Sequence, residues 1–265
     1  MRRLLTFATL FASLLPLPSA AAEVSTQDGL ESAWGTGGNI ELTNNITITN
    51  TGSSWTSTAS SITLTGKTGA EQLSLKEPGL GQADYAQMIA SDVTIEKLSL
   101  KNDDDVYLLQ ATSVTLNNVT IASSSESSAG AVVDVTTKLT LSGTLTLGLN
   151  SPCDTLLSCY SADLTGLSGI TINIGNDFSL GDGGATNLIL FTGTAPSTVG
   201  DLKCTVNGPS GYYVVLQKNM PGGTVLRLVP EPGSATLTLI GLLALLHRRR
   251  RTRSKGIHGE AFVRG

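Results

Sequence analysis

Val93-Thr94-Ile95-Glu96-Lys97-Leu98-Ser99-Leu100 is answered 21 residues later by Val114-Thr115-Leu116-Asn117-Asn118-Val119-Thr120-Ile121. Apolar residues stand at the same four places in both blocks, and Thr or Ser alternates with them. That is the period of a strand with one buried face. The blocks share a two-residue break, Glu96-Lys97 and Asn117-Asn118. Asn is among the few residues that accept the left-handed backbone a tight corner demands. Each block therefore reads as strand, corner, strand.

The pattern extends outward. Met88 and Ile89 precede the first block, Leu108 and Leu109 the second, and Val132, Val133 and Val135 precede Leu139 and Leu141. Upstream, Leu73 and Leu75 stand 20 residues before Val93 and Ile95, and Ile62 and Leu64 open that earlier turn. Three short strands cannot bury their apolar face alone, so successive copies must stack along a common axis. The expected fold is all-β, a parallel β-solenoid (β-helix) with rungs of about 21 residues. A β-sandwich of hairpins is the rival, and the matched offset of four apolar positions argues against it.

An open solenoid end invites strand pairing, so caps are expected. Asp28 is positioned to cap a short helix bearing Leu30, Ala33 and Trp34, with Gly37-Gly38 releasing the chain into Ile40, Leu42, Ile46 and Ile48. This opening resembles that of pectin-lyase-like β-helices. Beyond Asn150 the period fades, and Leu167 to Ile174, Leu188 to Phe191, Tyr212 to Leu216 and Thr224 to Leu228 read as an irregular β C-terminal cap. The expected division is a capped solenoid over 23–149 and a β cap over 150–228.

Both termini read as targeting segments. Arg2 and Arg3, the apolar Leu4–Leu15 and the small Ala20-Ala21-Ala22 follow the layout of a secretory signal peptide, with cleavage after Ala22. At the other end Val229, Pro230, Glu231 and Pro232 precede an apolar run to Leu246 and the cluster Arg248, Arg249, Arg250 and Arg251. Prolines hold the approach extended, and the arginines favour the cytoplasmic side of a bilayer. This order resembles the PEP-CTERM sorting signal of Gram-negative bacteria. The resemblance implies processing by an exosortase-type membrane protease, transient insertion in the inner membrane, and delivery to the cell envelope or an extracellular polysaccharide matrix. The run from Ala235 to Leu246 spans only about 18 Å as a helix, which suits a transient recognition segment better than a permanent anchor. Residues 229–251 form this signal and 252–265 a disordered tail.

Between the signals, residues 23–229 hold eight Lys and Arg against nineteen Asp and Glu, a formal charge of −11. Such a surface repels phosphate, which sets nucleic acid aside. That body has no histidine and one arginine, Arg227. Histidine-based nucleophile pairs and histidine metal sites are thereby excluded, no catalytic residue is assigned, and a non-enzymatic structural role is expected.

Two candidate chemistries remain. Asp84, Asp105 and Glu126 recur at 21-residue steps beside Asp103 and Asp104, an acidic ladder that would take calcium or serve a carbohydrate-binding or carbohydrate-active protein. Gly181-Asp182-Gly183-Gly184 is a single calcium-loop-like turn. Of three cysteines, Cys153 and Cys159 are the closer pair and would close a disulfide in an oxidising compartment, leaving Cys204 over.

Overall fold

The computed structural model describes residues 20–49, 53–76, 86–103, 106–123, 131–150, 152, 155–180 and 184–231. They form fifteen strands, one α-helix and a short 3-10 turn. From Ala22 to Asn207 every strand pairing is parallel, so the chain coils upon itself as a parallel β-solenoid. Long strands such as Tyr107–Ser123 and Val133–Leu149 turn corners without leaving the ladder.

Register resolves the coil into three sheets. In the first, Ile62 lies opposite Val93, Val93 opposite Val114, and Val114 opposite Leu139. In the second, Ile46, Leu73, Leu100, Ile121, Leu147, Ile172 and Val206 form one column. In the third, Trp55, Met88, Leu109, Val133, Leu157 and Ile189 do the same. These columns point inward, and their aliphatic members from Leu30 to Leu228 belong to a single buried cluster. Burying each Leu, Ile or Val contributes about 1.5–3 kcal/mol, so this interior outweighs any single polar contact.

The corner between the first and second sheets explains the two-residue break. Lys97 and Asn118 have φ of 50° and 54°, and Gly143 on the next turn has 64°. A left-handed residue turns the strand sharply enough to leave both flanking segments in register.

The 21-residue step itself is local. Val93 meets Val114 at that spacing, but Ile62 meets Val93 after 31 residues and Val114 meets Leu139 after 25. Leu73 and Leu75, expected beside Val93 and Ile95, instead pair with Leu100 and Asn102. The reason is a wider corner before Gln72. There Glu71 accepts from Thr68 N–H at 3.0 Å, Thr68 Oγ1 at 2.7 Å and Gly69 N–H at 3.0 Å. Burial pushes the Glu71 carboxyl up, and these hydrogen bonds outweigh it and hold it below the usual value.

Nor does the parallel ladder stop near Asn150. Leu157–Ile174 continues it, with Ile170 and Ile172 opposite Leu145 and Leu147, and Cys204–Asn207 adds one more strand. Sequence periodicity fades there because the chain between faces lengthens and the inward columns go on unchanged.

The ends are covered. Helix α1 (Gln27–Thr36) lies on the N-terminal end with Leu30 and Trp34 wholly buried. Its cap is Thr26, whose hydroxyl accepts from Gly29 N–H at 3.2 Å. Asp28 sits one residue into the first turn, where its charge favours the helix N-terminus. Two helix side chains satisfy edge strands below: Gln27 Oε1 accepts from Thr49 N–H at 3.0 Å, and Trp34 Nε1 donates to the carbonyls of Trp55 and Ile89 at 3.1 and 3.2 Å. At the far end Tyr212–Met220 and Gly223–Pro230 form an antiparallel hairpin attached to Thr186–Thr194. The Tyr212 ring meets Phe178 edge-on at 5.6 Å.

Candidate functional site

The sorting-signal residues divide between strand and undescribed chain. Val229 and Pro230 close the last strand opposite Tyr213 and Tyr212, and Glu231 N–H donates to Gly211 O at 2.7 Å. Pro232 and Arg248, Arg249, Arg250 and Arg251 lie outside the described residues, as does the leader up to residue 19. Among the described residues no helix is long and apolar enough to cross a membrane. At the start of the body Ala20, Ala21 and Ala22 are exposed, while Val24 is buried. Lys67 binds Glu23 at 2.9 Å and Glu41 at 3.6 Å, and these two carboxylates, Glu23 foremost, raise the pKa of its ammonium.

Asp84, Asp105 and Glu126 all fall outside the described residues, as do Asp104 and residues 181–183. The strands flanking them are informative. Ala86 and Tyr107, two residues beyond Asp84 and Asp105, are register partners. The next step differs, because Leu109 meets Val133 after 24 residues. Equal spacing in sequence therefore matches the register for the first pair and departs from it at Glu126. Asp103 is described and pairs with Lys101 at 2.9 Å. Among the described residues no group of three His, Cys, Asp or Glu side chains is placed to hold a metal.

Cys159 carries a free thiol with no solvent exposure, in register with Val135 and Phe191. Burial, with the Asp134 carboxylate adding to it, pushes this thiol up to about 12. Cys153 lies outside the described residues. Cys204 is a second free thiol, half-buried and pushed up to about 11 by burial. Neither environment makes a reactive thiolate at neutral pH.

Other polar groups serve the coil. Asn102, buried in an inward column, donates from Nδ2 to Val106 O at 2.7 Å and closes a tight corner. Asn45 Oδ1 accepts from Gln72 N–H at 2.8 Å, and Asn118 Oδ1 from Thr144 N–H at 3.1 Å. Lys138 pairs with Asp163 at 3.0 Å. Trp34 and Trp55 are buried, so neither offers a sugar-stacking platform; Tyr160, 52% exposed, lies against Gly193.

The surface feature missed in the sequence is the outside of the second sheet. Thr120, Thr146, Thr171 and Thr205 stand in one column, with Ala122, Gly148, Asn173 and Asn207 in the next. Their spacings of 26, 25 and 34 residues hide the column from any fixed period. The alternation Val-Thr-Ile, Leu-Thr-Leu, Ile-Thr-Ile within each strand was the available signal.

Comparison with protein-family models, curated proteins and solved structures gives no match.

Proposed function

We propose that this chain is an exported, non-enzymatic β-solenoid that serves as a structural or surface component of a Gram-negative cell envelope or its extracellular matrix. The observation that carries this reading is the coincidence of fold and address. The first strand, Ala22–Val24, spans the predicted leader cleavage bond, and the last, Gly223–Pro230, ends inside the Pro-Glu-Pro motif. Everything between is one continuous buried cluster. A rigid rod whose ends meet its processing signals suits a building block released by trimming. In this reading an exosortase-type membrane protease reads Val229 to Pro232 and Arg248 to Arg251, and the inner membrane holds the precursor briefly.

Cell fractionation with intact-mass measurement tests it. The expected product lies outside the cytoplasm, begins at Glu23 and has lost the arginine cluster. A cytoplasmic chain retaining Met1 and Gly265 sinks the proposal.

A further inference from the structure

We propose that the outer surface of the second sheet, from Thr120 to Asn207, docks a neutral polysaccharide chain. This deepens the reading above by naming a partner and the surface that meets it.

Three observations carry it. First, the ladder is regular: pairing from Leu145–Leu149 to Val119–Ser123, from Thr144–Leu149 to Gly169–Ile174 and on to Cys204–Asn207 has no register shift. The register breaks of these strands lie on the other faces and at the corner leading in. Four threonines therefore repeat along a straight line at about 4.8 Å per rung. Second, the neighbouring column is small or amide-bearing. Ala122 and Gly148 leave the line of hydroxyls unobstructed, and Asn207 Nδ2 donates to Asn173 Oδ1 at 3.1 Å. Third, no residue of either column is ionisable, in a body carrying −11. The first sheet differs, for its outward columns include Glu41, Asp92, Glu96, Lys138 and Asp163.

The chemistry of the patch selects the partner. A protein interface would want buried aromatic or arginine anchors, and these columns have neither. An anionic polymer needs Lys or Arg and meets a repelling body. A lipid surface needs apolar side chains. A neutral glycan presents hydroxyls as donors and acceptors at a regular repeat and brings no charge to desolvate, which matches threonine hydroxyls and asparagine amides in line.

The test uses the purified full chain in co-sedimentation with three insoluble neutral glycans, cellulose, a β-1,3-glucan and starch, with alginate as the anionic control. Retention on at least one neutral glycan in low and high salt alike, and none on alginate, is the expected result. Thr146→Glu with Thr205→Glu places two charges one rung apart on the face. It should weaken retention about tenfold, equivalent to ~1.4 kcal/mol. Thr171→Val, which keeps shape and strand preference while removing a hydroxyl, serves if the charged variant fails to fold, and should weaken retention measurably. Absence of retention on all three glycans, salt-sensitive retention on alginate, or unchanged retention by the folded variants overturns the proposal. Because the assay uses purified protein, its failure leaves the export reading standing, and a cytoplasmic location would leave glycan retention standing.

Discussion

Gly143 sits directly over Asn118: a Cβ on Gly143 would come within 2.4 Å of Asn118 Oδ1, the same oxygen that accepts from Thr144 N–H. The corner of one turn is thus shaped by the side chain of the turn before it. Gly143 also has φ of 64°. Gly143→Ala should cost about 1–2 kcal/mol from the left-handed backbone, plus the contact. Asn118→Gly in the same chain should recover the contact part, so urea titrations of the four forms should show coupling between the sites. Strict additivity would refute the stacked corner.

Lys97 occupies the equivalent place on the preceding turn with φ of 50°. Lys97→Gly should raise stability by about 0.5–1 kcal/mol, the strain relieved exceeding the added freedom of the unfolded chain. A lower denaturation midpoint would contradict this.

Trp34 joins the cap to two edge carbonyls, at Trp55 and Ile89. Trp34→Phe should cost about 1–2 kcal/mol for the lost hydrogen bonds, while Trp34→Ala should cost about 3–5 kcal/mol by opening a cavity. The alanine variant should also aggregate more readily, since an uncovered strand templates pairing. Light scattering against time separates the two.

Asp163 is held at about 2 by Thr165, whose hydroxyl and N–H both donate to it, and by Lys138. Its folded-state pKa lies below the unfolded value of 3.8, so its contribution is complete above that value and is lost as pH falls toward 2. Asp163→Asn should therefore flatten the loss of stability between about pH 4 and 2 and change little in the slope above pH 5. Thermal midpoints across that range provide the measurement.

Cys159 should resist alkylation in the native chain at pH 8, with Cys204 slower than an exposed thiol. Both should react fully once denatured. Rapid labelling of Cys159 without denaturant would show that its buried position is wrong.

The coil was legible because two adjacent turns, Val93 to Leu100 and Val114 to Ile121, carry corners of the same length. The pairings of Val93 with Val114 and of Met88 with Leu109 followed from that match. Leu73 was misplaced because Glu71 and Gly69 build a broader corner, whose length alternation alone does not reveal. The solenoid past Asn150 was hidden for the same reason. Helix α1 was legible from Leu30 and Trp34, but its cap was not, since Thr26 and Asp28 both have capping side chains and only backbone geometry separates them. The threonine column escaped because it exists only once strands of unequal spacing are laid side by side.

Unequal turns carry one more consequence. Three residues separate Asp103 from Tyr107, and eleven separate Ile174 from Thr186, yet the inward columns on either side stay in line. Length is absorbed between the second and third faces and never reaches the interior. That edge is a natural place to splice in foreign peptides, and several could be displayed along the rod at chosen intervals while the scaffold beneath kept its shape.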